Sequence, residues 1–291
     1  MTTSHTLQTP QADIAYDVYG PLPTADGRPP LFMIGQPMTA AGFATLASLL
    51  PERTVVTYDP RGLGRSVRKD GSAENKPQVQ AEDVHALIAA LGDGPVDMFA
   101  SSGGAVTALA LVAAYPEDVK TLVAHEPPLF AVLPDEAAAE RARAGIRDAY
   151  QANGSGAGMA QFIAFTSWPG ELTDAYFAQP AADPAMFGMP PGDDGRRDDP
   201  LLSELSWSVT SFRPDFDALR AAPTRVLIAV GEESANLITG RAAEAAAQLL
   251  GAEQATEFPS HHGGFVGGDN GYAGKPDEFA VRLREVLDGG E

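Results

Sequence analysis

Ser102 lies in a run of small residues, ASSGG at 100–104, between two apolar segments. The segment before it is typical of a buried strand, and the segment after it is typical of a buried helix. A serine on a sharp strand-to-helix turn needs small residues two positions before and after it, because larger side chains would collide across the turn. The N–H groups that begin the following helix favour negative charge beside such a serine. The pattern therefore indicates a nucleophile, and a capping serine in a small-residue turn is the alternative.

Strand and helix patterns alternate along most of the chain. Short apolar or alternating runs predict strands at 14–19, 31–34, 55–58, 96–100, 120–124, 225–230 and 257–258. Apolar residues at three- and four-residue spacing predict helices at 40–50, 81–91, 105–115, 242–250 and 276–287. This alternation predicts the α/β class, with a mostly parallel sheet and helices on both faces.

The alternation is interrupted between residues 129 and 222. Helical pieces are predicted there at 135–150, 159–165 and 201–212, with Gly-, Pro- and Asp-rich stretches between them. We therefore expect a core formed by residues 1–128 and 223–291, and an inserted helical cap or lid formed by residues 129–222. The apolar side of this cap is expected to face Ser102. The candidate aromatic residues of that side are Phe162, Phe165, Trp168, Trp207 and Phe212. Packing inside the cap is the other account of the two tryptophans.

The net charge of the chain limits the classes of partner that we expect, and its first residues bear on its location. Twenty Lys and Arg residues oppose 39 Asp and Glu residues, which gives a formal net charge of −19. Nucleic acids and anionic membranes carry the same sign, so we expect neither as a partner. The first twenty residues lack a basic patch followed by an apolar run, and we expect no secretory signal and a cytoplasmic location. The expected partner is a small-molecule substrate, and a homodimer stays open.

The residue types also bear on cofactors and metals. The chain has no cysteine, which excludes disulfides, thiolate metal sites, iron–sulfur clusters and a cysteine nucleophile. The segment GLGRSV at 62–67 lacks the third glycine of a dinucleotide-binding loop, and no histidine–carboxylate cluster has the spacing of a zinc site. We expect neither a cofactor nor a metal.

Four motifs, in chain order, resemble those of the α/β-hydrolase family. IGQP at 34–37 occupies the place of the oxyanion loop, with Ile34 where histidine is usual. YDPRGLGRS at 58–66 resembles the loop after the family's fourth strand, and ASSGG at 100–104 resembles its nucleophile elbow. FPSHHGGF at 258–265 resembles the loop that carries the catalytic histidine. The resemblance implies an α/β-hydrolase fold with an inserted helical cap.

The same resemblance implies roles for individual residues. Ser102 would attack an acyl carbon, because a hydroxyl becomes a useful nucleophile beside a base. His262 is the expected base, and His261 is the alternative. The backbone N–H groups of Gln36 and Gly103 would form the oxyanion hole.

The acid of the expected triad departs from the usual pattern of the family. Most members carry an aspartate a few residues after a late strand, and this chain has Ser234 there. Some members, haloalkane dehalogenases among them, supply the acid from the end of the preceding strand, which is the position of Glu126. We therefore expect Glu126 to orient the histidine. Glu232 or Glu233 is the alternative, and a dyad without an acid is the third interpretation.

Together these residues predict a cofactor-free serine hydrolase. It would cleave an ester, thioester or lactone of a small, mainly apolar molecule held between cap and core. A first alternative is another reaction at the same residues, either carbon–carbon bond hydrolysis or cofactor-free peroxidase chemistry. A second alternative is a non-catalytic receptor for a small ligand, which the unusual Ser234 keeps open.

Overall fold

The computed structural model describes residues 2–92, 94–189, 192–268 and 272–289, with the backbone alone for Glu204. In these ranges nine strands form one sheet. The strands are β1 (Thr2–Gln8), β2 (Ala12–Tyr19), β3 (Leu31–Gln36), β4 (Val55–Tyr58), β5 (Val67–Arg68), β6 (Val96–Ser102), β7 (Val119–His125), β8 (Arg225–Gly231) and β9 (Thr256–Phe258).

The sheet is mostly parallel. Its order is β1-β2-β4-β3-β6-β7-β8-β9, and β5 pairs with β2. Strand β2 runs antiparallel to β1, β4 and β5, whereas every pairing from β4 through β3 to β9 is parallel. In the register of β3 and β6, Gln36 lies opposite Ser102. The carboxyl ends of the parallel strands therefore meet at one edge, where ligands bind in open α/β sheets.

Ten α-helices and four 3-10 turns are found in the described ranges. The α-helices are α1 (Ala44–Ser48), α2 (Pro77–Leu91), α3 (Gly103–Ala114), α4 (Glu136–Asn153), α5 (Ser155–Thr166), α6 (Asp174–Phe177), α7 (Trp207–Thr210), α8 (Phe216–Ala221), α9 (Ile238–Leu249) and α10 (Pro276–Leu287). The 3-10 turns are Ala40–Phe43, Phe130–Val132, Pro184–Phe187 and Glu204–Ser206.

Helices cover both faces of the sheet. Along β3, Phe32 and Ile34 enter one apolar cluster with residues of α2, α3, α8 and α9. Leu31 and Met33 enter a second cluster with residues of α1 and α10. Successive side chains of a strand point to opposite faces, so these two clusters are the two layers of the core. The α/β-hydrolase fold with a mostly parallel sheet is confirmed.

Residues 129–222 carry helices α4 to α8. Side chains of α4, α5 and α6 form a third apolar cluster, which also includes Ile238 and Ala242 of α9. Leu219 of α8 packs instead into the first cluster of the core. The division into core and cap at these boundaries stays a prediction. No helix within the described ranges combines the length and the apolar character that crossing a membrane requires.

The seven strands predicted from apolar runs are present, whereas strands β1 and β5 and helices α6 and α8 were not predicted. Strand β1 was not predicted because its residues are polar apart from Leu7, as suits an exposed edge. The predicted helix at 40–50 is a 3-10 turn followed by the five-residue α1. The predicted helix at 201–212 starts later: Asp199 Oδ1 accepts the N–H groups of Leu201 and Leu202, and this local turn competes with helix formation.

Candidate active site

Ser102 lies on the turn that joins β6 to α3. Its φ of 57° and ψ of −131° form a conformation that residues other than glycine rarely adopt. Such a conformation persists only where the surrounding structure enforces it, and functional sites are where it is commonly found. The first N–H groups of α3 have no partner inside the helix and lie beside Ser102. The turn therefore presents the hydroxyl at the start of a helix.

The small residues around Ser102 allow this turn to pack against β3. A Cβ atom on Gly104 would lie 2.6 Å from the Cα of Gly35, and one on Gly103 would lie 2.9 Å from the carbonyl oxygen of Gln36. Neither neighbour is the movable end of a side chain, because both contacts are with backbone atoms. The glycines are thus required by the close approach of α3 to the end of β3.

Glu126 follows β7 and is fully buried. Its Oε2 atom lies 2.7 Å from His262 Nδ1 and accepts a hydrogen bond of 2.6 Å from the Thr239 hydroxyl. Its Oε1 atom accepts the Gly231 N–H at 2.9 Å. Burial raises the pKa of the Glu126 carboxyl, but the hydrogen bond and charge of His262 outweigh it and hold the pKa well below its usual range. The carboxylate is therefore ionised and fixed in place.

His262 lies in the loop after β9, between Glu126 and the open space above Ser102. Its Nδ1 donates to the carboxylate, so Nε2 is the ring atom that can accept a proton whenever the ring is neutral. Its side chain is 29% exposed, and it lines the same cavity as Ser102. Among the described residues no hydrogen bond joins the Ser102 hydroxyl to this ring; catalytic hydrogen bonds of this kind often tighten only when a substrate binds.

The alternative base and acids have other partners. The Nδ1 atom of His261 accepts the Gly263 N–H at 3.0 Å, and its ring lies 4.7 Å from the ring of Tyr272. The carboxylates of Glu232 and Glu233 pair with Lys275 at 2.8 and 3.5 Å. The structure therefore brings Glu126 to His262, and the catalytic assignments themselves stay predictions.

His125 precedes Glu126 but belongs to the core. It is fully buried, and its ring lies 5.4 Å from the ring of Phe279 and 6.2 Å from that of Phe265. Burial lowers the pKa of this imidazole to about 4, so the ring is neutral at pH 7. The imidazole of His125 therefore packs as part of the core.

Gln36 and Gly103 lie where an oxyanion hole would form. Gln36 ends β3 opposite Ser102, and Gly103 begins α3 directly after it. Pro37 has no N–H group, so an oxyanion hole on this side of Ser102 would draw its donors from Gln36 and Gly103. The side-chain amide of Gln36 is buried without a hydrogen-bond partner among the described residues.

The loop after β4 holds the chain that follows Gln36. Asp59 accepts the Ala40 N–H at 2.9 Å and the Arg65 Nε–H at 2.7 Å. Nearby, the buried Arg61 donates two hydrogen bonds of 2.7 Å to Asp83 of α2. These charge-assisted hydrogen bonds fix the loop without contacting the cavity. Its residues support the site rather than perform chemistry.

The fold and these motifs can be compared with known proteins. The family described as the alpha/beta hydrolase fold matches residues 31–230. The chain belongs to the α/β-hydrolase family. The match spans three of the four motifs, from the oxyanion loop to the end of β8, and it confirms the resemblance drawn from the sequence.

Relatives of this α/β hydrolase extend over the whole chain. The uncharacterized hydrolase YraK of Bacillus subtilis (strain 168) is 29% identical over 289 residues, which are 97% of this chain and 95% of that protein. A thermophilic esterase of Thermogutta terrifontis has a TM-score of 0.63 at 20% identity, covering 99% of this chain and 98% of that one. The proline iminopeptidase of Mycobacterium smegmatis has a TM-score of 0.62 at 21% identity, covering 98% of each chain. The chain is a hydrolase of this superfamily.

A cavity of about 450 Å³ lies between side chains of residues 130–210 and the carboxyl edge of the sheet. Ser102 and His262 line its floor, and most of the remaining wall is apolar. The apolar lining residues include Phe130, Ile146, Phe162, Ile163, Phe165, Leu201, Leu202, Trp207, Val209 and Leu237. Of the five aromatic residues expected to face Ser102, Phe162, Phe165 and Trp207 line this cavity. Trp168 and Phe212 are absent from its described lining.

Sequence reasoning missed two contributors to the site of this α/β hydrolase. Thr239 donates to Glu126 from a position 113 residues away, and no local pattern marks such a contact. Arg143 lines the cavity from helix α4, where its sequence neighbours give it the pattern of a surface residue. A search for arginines on the apolar face of the predicted cap helix would have found it.

Proposed function

We propose that this protein is a cofactor-free serine hydrolase that cleaves an ester, thioester or lactone of a small, mainly apolar molecule. The observation that carries the proposal is the hydrogen bond between the buried carboxylate of Glu126 and His262, which lines the same cavity as Ser102. A buried carboxylate is costly unless it is paired, and pairing it with the Nδ1 of a histidine on a cavity is the arrangement of an oriented base.

The first half of the reaction forms an acyl-enzyme. His262 Nε2 accepts the proton of the Ser102 hydroxyl as its oxygen attacks the acyl carbon. The negative charge passes to the carbonyl oxygen, which the N–H groups of Gln36 and Gly103 stabilise. Glu126 stabilises the imidazolium. His262 then donates its proton to the leaving oxygen or sulfur, and the bond to the leaving group breaks.

The second half releases the acid. His262 Nε2 accepts a proton from water as the water oxygen attacks the acyl carbon of the Ser102 ester. The second tetrahedral intermediate uses the same two N–H groups. Its collapse returns the proton to Ser102 and releases the carboxylic acid, so the overall reaction consumes one water. The ionised state of Glu126 is unchanged throughout.

The cavity supports the substrate class. A space of about 450 Å³ with a largely apolar wall fits a small molecule with an apolar body. The Thermogutta terrifontis protein with the same fold is an esterase, which agrees with acyl chemistry on this scaffold.

Hydrolysis of a series of 4-nitrophenyl esters, from acetate to decanoate, tests the proposal. The wild type should turn over at least one ester, and Ser102→Ala should reduce kcat by about a million-fold. Ser101→Ala is the matched control, because this neighbouring hydroxyl is buried and bonds weakly to His125 at 3.4 Å. Equal activity of the wild type and Ser102→Ala would contradict the proposal.

The same assay separates the alternative functions. A diketone replaces the ester to test carbon–carbon bond hydrolysis, and hydrogen peroxide with a carboxylic acid replaces it to test peroxidase chemistry. Turnover of one of these without turnover of any ester would indicate a different reaction at Ser102. Stabilisation by an ester without turnover, seen as a raised Tm, would favour a receptor.

A further inference from the structure

Two arginine side chains line the cavity of this acidic protein. Arg143 and Arg147 line it, and no aspartate or glutamate does so among the described side chains. The chain as a whole has a formal net charge of −19. A cation on a mostly apolar wall is costly to desolvate unless it is paired. Such a cation can therefore recognise a ligand group of opposite charge.

Arg143 is the better defined of the two arginines. Its side chain is 10% exposed, and its Nη1 donates a 2.7 Å hydrogen bond to Glu140. Its Cζ atom lies 4.1 Å from the centre of the Trp207 ring, which holds the guanidinium plane. Burial lowers the pKa of Arg143, yet a guanidinium stays protonated in proteins.

Most donors of Arg143 remain unused by the described side chains. A guanidinium carries five N–H groups in a planar fork, and one bond goes to Glu140. The Nε and Nη2 groups make no hydrogen bond with a described residue. A carboxylate accepts two parallel N–H bonds from such a fork.

Arg147 lies one helical turn further along α4 and supports the same charge. Its Cζ atom is 5.4 Å from the centre of the Trp207 ring, and its Nε and Nη2 groups donate to Asp148 at 3.0 and 2.9 Å. Because Arg147 has these partners, Arg143 is the residue that remains able to bind a ligand.

We propose that Arg143 is a specificity-determining residue that binds a carboxylate carried by the otherwise apolar substrate. The inference rests on the proposed ester hydrolysis and deepens it: the preferred substrate is an anionic ester. The carboxylate would lie either at the far end of the acyl chain or on the leaving group.

Two pairs of matched esters test this inference. In the acyl pair, mono-4-nitrophenyl adipate is compared with 4-nitrophenyl hexanoate, which has the same six-carbon chain without the carboxylate. In the leaving-group pair, the hexanoate ester of 4-hydroxybenzoate is compared with that of methyl 4-hydroxybenzoate. The wild type should show a higher kcat/KM for the anionic member of one pair, and that pair identifies the end that Arg143 binds.

Variants of α4 assign the preference to Arg143. Arg143→Gln should lower kcat/KM for the preferred anionic ester about 10- to 100-fold, the value of a charge-assisted hydrogen bond. The neutral ester should change by no more than about threefold. Arg143→Lys keeps the positive charge but loses the planar fork of N–H groups, so its kcat/KM for the anionic ester should lie between those of the wild type and Arg143→Gln. Arg141→Gln is the matched control, since Arg141 stacks on Phe177 at 3.9 Å and is absent from the described lining of the cavity.

The inference fails if the wild type prefers the anionic ester in neither pair. It also fails if Arg143→Gln lowers kcat/KM equally for the anionic and the neutral ester of a pair. Binding to the Ser102→Ala variant separates this failure from failure of the proposed function. By titration calorimetry, Ser102→Ala should bind mono-4-nitrophenyl adipate at least about tenfold more tightly than Ser102→Ala/Arg143→Gln does, if the acyl end is recognised. The 4-hydroxybenzoate ester serves the other case. Equal binding of both esters by the two variants overturns the inference even without turnover.

Discussion

The Oε2 atom of Glu126 lies 2.7 Å from the Nδ1 atom of His262, although 136 positions separate the two residues in the chain. Glu126 is the first residue after β7 and has a positive φ of 45°, whereas His262 lies in the loop after β9. Thr239 and the Gly231 N–H hold the other lone pairs of the carboxylate. This contact, rather than any single motif, supports an acid at the end of β7.

Replacing Glu126 by glutamine should abolish most of the activity while keeping the shape of the side chain. The imidazole loses the charge that orients it and stabilises its protonated form, so kcat should fall about a thousand-fold or more. Glu232→Gln and Glu233→Gln are matched controls, because these exposed carboxylates pair with Lys275, and each should stay within about tenfold of the wild type. A larger loss in either control would move the acid to the loop after β8. Full activity of all three variants would indicate a dyad.

Gly104→Ala should lower both the stability and the activity. The added Cβ would lie 2.6 Å from the Cα of Gly35, so α3 and the end of β3 must separate. We expect a loss of about 1–3 kcal/mol in the free energy of unfolding, as for overpacked cores. Gly145→Ala is the control: its Cβ meets nothing within 4 Å in helix α4, and it should gain up to about 1 kcal/mol. Urea denaturation measures both, and equal effects would refute the close contact.

Phe162→Ala should lower kcat/KM more for esters with long acyl chains than for esters with short ones. Phe162 lines the cavity, so removal of its ring deprives a long chain of about 1.5–3 kcal/mol of apolar contact, or about 10- to 100-fold in kcat/KM for octanoate. The acetate ester should change by less than about threefold. Trp168→Ala is the control, because Trp168 donates to the Glu171 carbonyl and packs on Tyr176 outside the described cavity lining. Equal losses for both esters would argue against a cap that faces the substrate.

Stability should fall between pH 7 and pH 5 because of His125. Burial lowers the pKa of this imidazole from 6.5 to about 4, so the unfolded chain binds a proton that the folded protein excludes in this range. The contribution of His125 to the free energy of unfolding is therefore fully present above pH 6.5 and is lost as the pH falls towards 4. The loss amounts to about 2 kcal/mol at pH 5. His125→Phe should remove this part of the pH dependence, whereas His5→Gln on the exposed β1 should not. Identical slopes for the wild type and His125→Phe would contradict the expected neutral ring.

The sequence predicted most of the fold and the local part of the site. The ASSGG turn at Ser102 is readable because its requirement is local: small residues must flank a strand-to-helix turn. The seven principal strands follow from short apolar runs. Strand β1 escaped prediction because an exposed edge strand needs no apolar face, and its pairing with β2 stabilises it instead.

Other parts of the site depend on contacts that no local pattern records. Glu126 was expected from its place at a strand end, but its bonds to Thr239 and His262 depend on how distant loops meet. Trp168 and Trp207 both lie in the predicted cap, and tertiary packing places Trp207 alone of the two in the described lining of the cavity. Arg143 was missed for a different reason: a helical arginine is ordinarily a surface residue, although its spacing from Ala139 and Ile146 places it on the buried face of α4.

Labelling with a fluorophosphonate tests the central claim, that Ser102 is the nucleophile, most directly. Its phosphorus is attacked by an activated serine oxygen, and the adduct is read by intact mass and by peptide mapping. We predict one adduct per chain, on Ser102, with no labelling of Ser102→Ala and slow labelling of Glu126→Gln. An adduct on another residue, or unchanged labelling of Ser102→Ala, would contradict the account.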